Sequence, residues 1–586
     1  MTRAKDTHGD ALPGRPELGR DRRQPGGARA RGPAWLRLLA LAGLALALGP
    51  ETATAAPPSD DAGEAQVSTR TARPISTGLS WFMERVDAWD LEGAKVALTA
   101  LPPGPDHELA EGVLAVYEAR YEDAEGVLAG VVASFATAAE DDPTANQARH
   151  YLEVARGAQL ALGEALTLTS EDGRFEAVFA DPKDALLAPY LFEAMASAYE
   201  QLGEDIGVRP KDPIRFEFYD EPGKLALVTP LTLDNIYTTG TVGICKYRRI
   251  MMVTPRVMFY GYGWLDTAIH EYVHYLLSMR TQNNAPVWMQ EGMAKLMESR
   301  WRPDGRSELT PSVRALLSEA LTNDTLVTLE QMHPSIAMLP SQEMAALAYA
   351  EAETMLGLLE EERGREGMAD FMDQVALGVD AKAAFANTWG QEFERFFEHW
   401  RRTMATRTHA RRGSTSAHRG VAFRESESES EDPESADPSL SGDVFSHLGG
   451  GAAHKHARLG VLLTLRGHPE AAVIEYEKAR SADPSVRRDP KLARRLGELY
   501  LDLDQPARAL PLLISAGEDD PEDANIAAAE GRARRLSGDD VGARAALSRA
   551  VRKNPFIPGL HCDLAALATI DGDEQTAARE AALCPD

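Results

Sequence analysis

The residues of this chain best suited to chemistry lie in "GYGWLDTAIHEYVHYLLSMR", residues 261–280, where His270, Glu271 and His274 form the pattern H-E-x-x-H. Residues four apart share one face of a helix, so His270 and His274 can converge on a single metal ion. Neutral imidazole is a good zinc ligand. Glu271 lies beside the pair, where its carboxylate can take a proton from a water activated by the metal and return it to a leaving amine. A catalytic zinc wants a third protein ligand and one open position. Seventeen residues beyond His274, "NNAPVWMQEGMAKLMESRW" offers Glu291.

These side chains need elements that hold them together. "WLDTAIHEYVHYLLS" reads as a helix, with Leu265, Ile269, Tyr272, Val273, Leu276 and Leu277 as its apolar positions. Asn283, Asn284 and Pro286 mark a turn, and Trp288–Ser299 reads as a second helix folding back on the first. Trp288, Met289, Met293, Leu296 and Met297 would pack it there, and Gly292 permits close helix contact. Upstream, "FEAVFA" (175–180), "IRFEFYD" (214–220) and "RIMMVTP" (249–255) read as strands of a small mixed sheet, with a helix near 185–202 between the first two. Gly240 and Gly243 in "GTVGICKYRR" shape turns around an edge strand. Helices dominate again to about residue 407, and Phe393, Phe396, Phe397 and Trp400 fall at core spacing.

Paired helices are also expected at 78–165. Residues 56–77 and the acidic serine run 408–443, which ends in "RESESESEDPESADPSLSGD", read as linkers that bury too little apolar surface to offset ordering entropy. Beyond them, Gly460, Gly467, Ala472, Ala479 and Pro484 are repeated in spacing by Gly497, Asp504, Ala509, Ala516 and Pro521, and by Gly531, Gly538, Ala543, Ala550 and Pro555. A fourth copy begins at Ala565. The pattern over 446–586 resembles the tetratricopeptide repeat (TPR), and Gly112 with Ala124 shows one weaker copy near the N-terminus. The resemblance implies a surface for protein partners. Its register also sets Cys562 early in one helix and Cys584 late in the next, where a disulfide can join them. Two unpaired thiols are the alternative, and Cys245 is left single.

"HEYVH" followed by "PVWMQEGMAKLMESRW" resembles the gluzincin metallopeptidases, and most closely peptidase MA-like domains, over about 170–407. The resemblance implies His270, His274 and Glu291 as zinc ligands, Glu271 as catalytic base and a peptide bond as the hydrolysed group. Tyr349, in "LAYAEAETM", resembles a recurrent Tyr-Ala pair of that family, which implies a phenol that stabilises the oxyanion, against the plainer role of a core tyrosine. Some gluzincins carry an acidic residue four after the glutamate ligand to orient a histidine, and here that position is Lys295. Asp266, Glu298 or a carbonyl remain as the orienting group. The edge strand could hold an extended peptide by β-addition.

The fold expected is therefore α+β and mainly helical: TPR-like repeats flanking a zincin-like domain with a small sheet. A net charge of −28 makes nucleic acid an unfavourable partner. Residues 1–55 combine a basic stretch, the apolar run Leu38–Leu48 and Ala53-Thr54-Ala55, the pattern of a cleaved export signal. No stable membrane span is expected after cleavage, and the product would be periplasmic or secreted. The rival reading is a non-enzymatic envelope scaffold whose repeats bind partners and whose zincin fold is only a platform.

Overall fold

The computed structural model describes residues 75–135, 142–258, 261–302, 305, 308–409, 445, 448, 451–483 and 486–584. The expected export signal, nearly all of the 56–77 linker and the 408–443 linker beyond His409 lie outside the described residues.

Five helices open the fold: α1 (Thr77–Asp87), α2 (Leu91–Ala100), α3 (Pro105–Tyr117), α4 (Tyr121–Ser134) and α5 (Pro143–Leu162). Ser76, Asp90 and Asp142 start three of them by accepting the N–H of Leu79, Gly93 and Ala145. Their apolar stripes close on a core of their own that includes Phe82, Val113, Leu128 and Leu152.

A five-stranded sheet follows: β1 (Leu166–Thr169), β2 (Phe175–Phe179), β3 (Ile214–Tyr219), β4 (Gly243–Lys246) and β5 (Arg249–Val253), in the order β1-β2-β3-β5-β4. β2, β3 and β5 are mutually parallel, while β1 and β4 are antiparallel edges. The central strands are buried along most of their length, as parallel strands covered on both faces must be. The mixed sheet is as expected, with β4 as the edge strand near Gly243 and one strand, β1, that the sequence did not suggest. It begins at Leu166, earlier than the expected domain start at 170. Between the strands lie α6 (Ala188–Ile206), α7 (Pro222–Val228) and α8 (Leu233–Thr239).

The sheet leads into α9 (Trp264–Thr281), α10 (Val287–Met297), α11 (Pro311–Asn323), α12 (Gln342–Ala376), α13 (Ala381–Trp389) and α14 (Phe393–His409). The main core joins the sheet to these helices and includes Phe396 and Trp400. Gly292 does permit a close approach, but to α12 rather than α9: a Cβ there would lie 2.7 Å from the Ala352 carbonyl.

Four hairpins complete the described chain: α15 (Ala452–Leu465) with α16 (Pro469–Ala482), α17 (Pro490–Asp502) with α18 (Pro506–Asp519), α19 (Ala524–Leu536) with α20 (Asp540–Lys553), and α21 (Leu560–Asp571) with α22 (Glu574–Leu583). The repeated glycine has one physical cause. A Cβ on Gly460, Gly497 or Gly531 would lie 2.5–2.7 Å from Tyr476, Leu513 or Leu547 on the paired helix. Gly112 meets Leu128 in the same way. Cys562 and Cys584 form a disulfide across the last hairpin, and Cys245 is free. These hairpins dock on the sheet-bearing region. Trp264 Nε1 donates to the Val551 carbonyl at 2.8 Å, and the Tyr190 hydroxyl donates to the Glu580 carboxylate at 2.7 Å. Among the described residues no helix is long and apolar enough to cross a membrane.

Candidate metal centre

α9 carries His270 and His274 one turn apart, on the side facing α10. The reversal between the two helices is tight. Gln282 and Asn283 take left-handed φ values of 52° and 58°, and the Asn283 N–H closes back on the Ser278 carbonyl at 2.9 Å. α10 thereby returns Glu291 to the histidines.

The three expected ligands meet. His270 Nε2 lies 3.2 Å from Glu291 Oε2, His274 Nε2 lies 3.3 Å from the same oxygen, and the two Nε2 atoms are 3.1 Å apart. A tetrahedral zinc with ligands at about 2.0–2.1 Å needs ligand pairs about 3.3 Å apart, so the triangle has the right size. Among the described residues this trio is the group whose donor atoms come together as a metal site does.

The outer ring nitrogens are occupied. His270 Nδ1 lies 3.0 Å from Glu298 Oε2, and His274 Nδ1 lies 3.1 Å from Gln290 Oε1. With both Nδ1–H groups donating outward, both Nε2 atoms turn lone pairs toward the Glu291 carboxylate. Three lone-pair donors so close repel one another unless a cation sits among them. The donor set therefore fits a divalent metal ion, and without one it fits protons. Burial disfavours charge on His270, but its contacts with Glu291 and Glu298 outweigh this and raise its pKa to about 9. Burial likewise opposes ionisation of Glu291, yet His274 and His270 hold it well below the usual carboxylate range.

Glu298 is thus one orienting group, and Asp266 is not. The Asp266 carboxylate instead accepts from Trp301 Nε1 at 3.1 Å and Arg302 Nη1 at 3.2 Å, tying the first turn of α9 to the chain after α10. Lys295 does not orient a histidine either. Its ammonium donates to both Glu298 oxygens, at 2.9 and 3.1 Å. Gln290 was not foreseen, because an amide next to a ligand glutamate carries no signal in one sequence.

Glu271 is buried and lies against the edge strand. Burial raises its pKa, and the two histidines pull it down. A Cβ on Gly243 would lie 3.0 Å from Glu271 Oε1, so glycine lets the edge strand approach the carboxylate closely. Tyr349 of α12 stands near the cluster, its ring 6.1 Å from that of His270. Burial first, then the charges of Glu291, Glu271 and Glu298, push its pKa up and keep the phenol protonated.

Residues 194–406 match the family model of the Peptidase MA superfamily. The match covers β3 to β5, the metal-centre helices and α12 through most of α14. It supports a zincin-like peptidase domain at the centre of the chain. No curated protein matches the chain.

Proposed function

We propose that this protein is a zinc-dependent metallopeptidase, with His270, His274 and Glu291 holding the metal and Glu271 as general base. The reading rests on one observation: three donor atoms converge with both outer imidazole nitrogens tied off, and a buried carboxylate lies alongside. The peptidase family match supports the reaction class. Zinc bound at this trio would supply a Lewis acid that acidifies water and polarises a carbonyl.

The chain's own residues supply the rest. Glu271, with its pKa raised by burial, is placed to accept a proton from the attacking water and hand it to the departing amine. Tyr349, kept protonated, can donate to the oxyanion that develops on the scissile carbonyl. β4, an antiparallel edge beside Glu271, offers unpaired backbone groups to an extended peptide. The pattern in residues 1–55 supports export to the periplasm or beyond. The hairpins from Ala452 onward, with their shared glycine contacts, support a TPR-like surface for a protein partner or substrate.

Glu271→Gln tests the reading. It should keep stoichiometric zinc and lose hydrolysis of an unfolded protein substrate by a factor of about 10² or more. Protein purified without chelator and free of zinc would refute the metal assignment. Metal without cleavage of any member of a broad peptide library would favour the scaffold.

A further inference from the structure

The edge strand beside Glu271 ends in an uncommon turn. β4 and β5 are joined by Tyr247 and Arg248 alone, with φ values of 52° and 55°. This is the two-residue hairpin in which both central residues are left-handed, a place that favours Asn-Gly. A tyrosine and an arginine are held there against their preference, so something outside the turn must hold them.

That something is the N-terminal helical module. Tyr247 is 2% exposed and belongs to the core of α1–α5, whereas Ile250 to Val253 in the following strand belong to the main core. Its ring stands edge-on to Tyr117 of α3 at 5.6 Å and to Tyr151 of α5 at 6.1 Å. Its hydroxyl lies 3.1 Å from His150 Nε2. Behind it the Arg249 guanidinium, 5.3 Å from the same ring, donates to the Val116 carbonyl at the end of α3 at 2.8 Å. Ahead of it Lys246 of β4 faces Asp87 of α1 electrostatically. The hairpin tip is therefore plugged into a different helical layer from the one its strands pack on.

At the other end of the same short strand, Gly243 lies so close to Glu271 that a Cβ there would stand 3.0 Å from its Oε1. Among the described residues β4 has a strand partner on one side only, β5. We propose that the N-terminal helical module is a positioning part of the active site, which grips Tyr247 and so holds β4 in register against Glu271. Tyr247 is then a positioning residue. This rests on the reading of Glu271 as the base, but the grip itself can be measured without activity.

The test uses the full chain and three variants, read by hydrogen exchange of the 243–246 amides, zinc content and the kcat and KM for an unfolded protein substrate. Tyr247→Ala and Tyr247→Gly should both speed exchange of β4 at least tenfold. Both should leave exchange in α9 and α10 and the zinc content unchanged. Each should lower kcat about tenfold or more, and Tyr247→Phe should restore wild-type values. Three results would overturn the proposal. Glycine could restore β4 where alanine does not, so that turn conformation alone mattered. Exchange could rise throughout the chain, making Tyr247 an ordinary core contact. Exchange of β4 could stay unchanged. If the wild type cleaves nothing, the proposed activity fails, while the exchange pattern still decides the grip.

Discussion

Removing the Glu298 carboxylate should weaken metal binding while leaving all three ligands in place. Glu298 accepts from His270 Nδ1–H at 3.0 Å, which fixes the ring's tautomer and turns Nε2 toward Glu291, where the proposed metal would sit. It also neutralises Lys295, whose ammonium lies 2.9 Å away. Glu298→Gln keeps a neutral acceptor but drops the charge, and Glu298→Ala loses both and leaves a lysine cation facing a divalent ion. Losing a group that orients a metal-bound histidine costs about 10- to 100-fold in affinity. We place Gln near tenfold and Ala near a hundredfold, about 1.4 and 2.7 kcal/mol. Competition against a fluorescent zinc chelator at constant pH measures this, with thermal melting of each variant as the folding control. Asp266→Asn is the internal comparison, since that carboxylate serves Trp301 and Arg302 and should change affinity less than threefold. The reasoning fails if Glu298→Ala binds zinc within twofold of wild type, or if Asp266→Asn weakens binding more than Glu298→Ala does.

Glu351 sits almost fully buried on α12, accepting the Val327 N–H at 2.9 Å, and burial raises its pKa to about 8. An acid whose folded pKa exceeds its unfolded value binds more protons when folded, so its share of stability falls as pH rises from about 4.5 to 8. Glu351→Gln keeps the acceptor and should stabilise the protein at pH 9 by an amount on the order of 3–5 kcal/mol, with almost no gain at pH 4.5. An equal shift at both pH values, by denaturant melts, would contradict it. Changing Cys562 and Cys584 together to serine removes a cross-link spanning 22 residues of sequence. It should cost about 2–4 kcal/mol, read as early loss of protection in α21 and α22. Protection there equal to wild type would show that the docking bonds to Tyr190 suffice alone.

Which parts of this were legible in the sequence follows from how each is encoded. A long helix repeats its period several times, so α9 stood out, and the C-terminal hairpins showed through their repeated residue spacing. The repeated glycine was visible because one steric demand, a side chain of the paired helix 2.5–2.7 Å from where a Cβ would stand, recurs in three of the four hairpins. β1 was not foreseen because it is only four residues long and not fully buried, and β4, equally short, showed only as an edge strand without bounds near Gly240 and Gly243. The Tyr247 turn could not be read at all. "KYRR" carries none of the Asn or Gly signals of a tight hairpin, since the conformation is imposed by α3 and α5, far away in sequence.

The site shows the same division, with Lys295 as the instructive case. Its place four residues after Glu291 suggested that a helper carboxylate was missing. The carboxylate is present, three residues further on, where two helical turns from Glu291 bring Glu298 onto the same face and against the other side of His270. Lys295 then has a function of its own. Glu271, Glu291 and Glu298 would bring three negative charges to one buried cluster, which is costly to leave unbalanced. Lys295 is held protonated: burial opposes its charge, but the Glu298 contact outweighs this and raises its pKa. The four side chains then sum to minus two, the charge that a divalent ion cancels. A carboxylate in place of Lys295 would take the same four positions to minus four, two charges beyond what a divalent ion cancels, so the lysine at 295 and the orienting acid at 298 belong together.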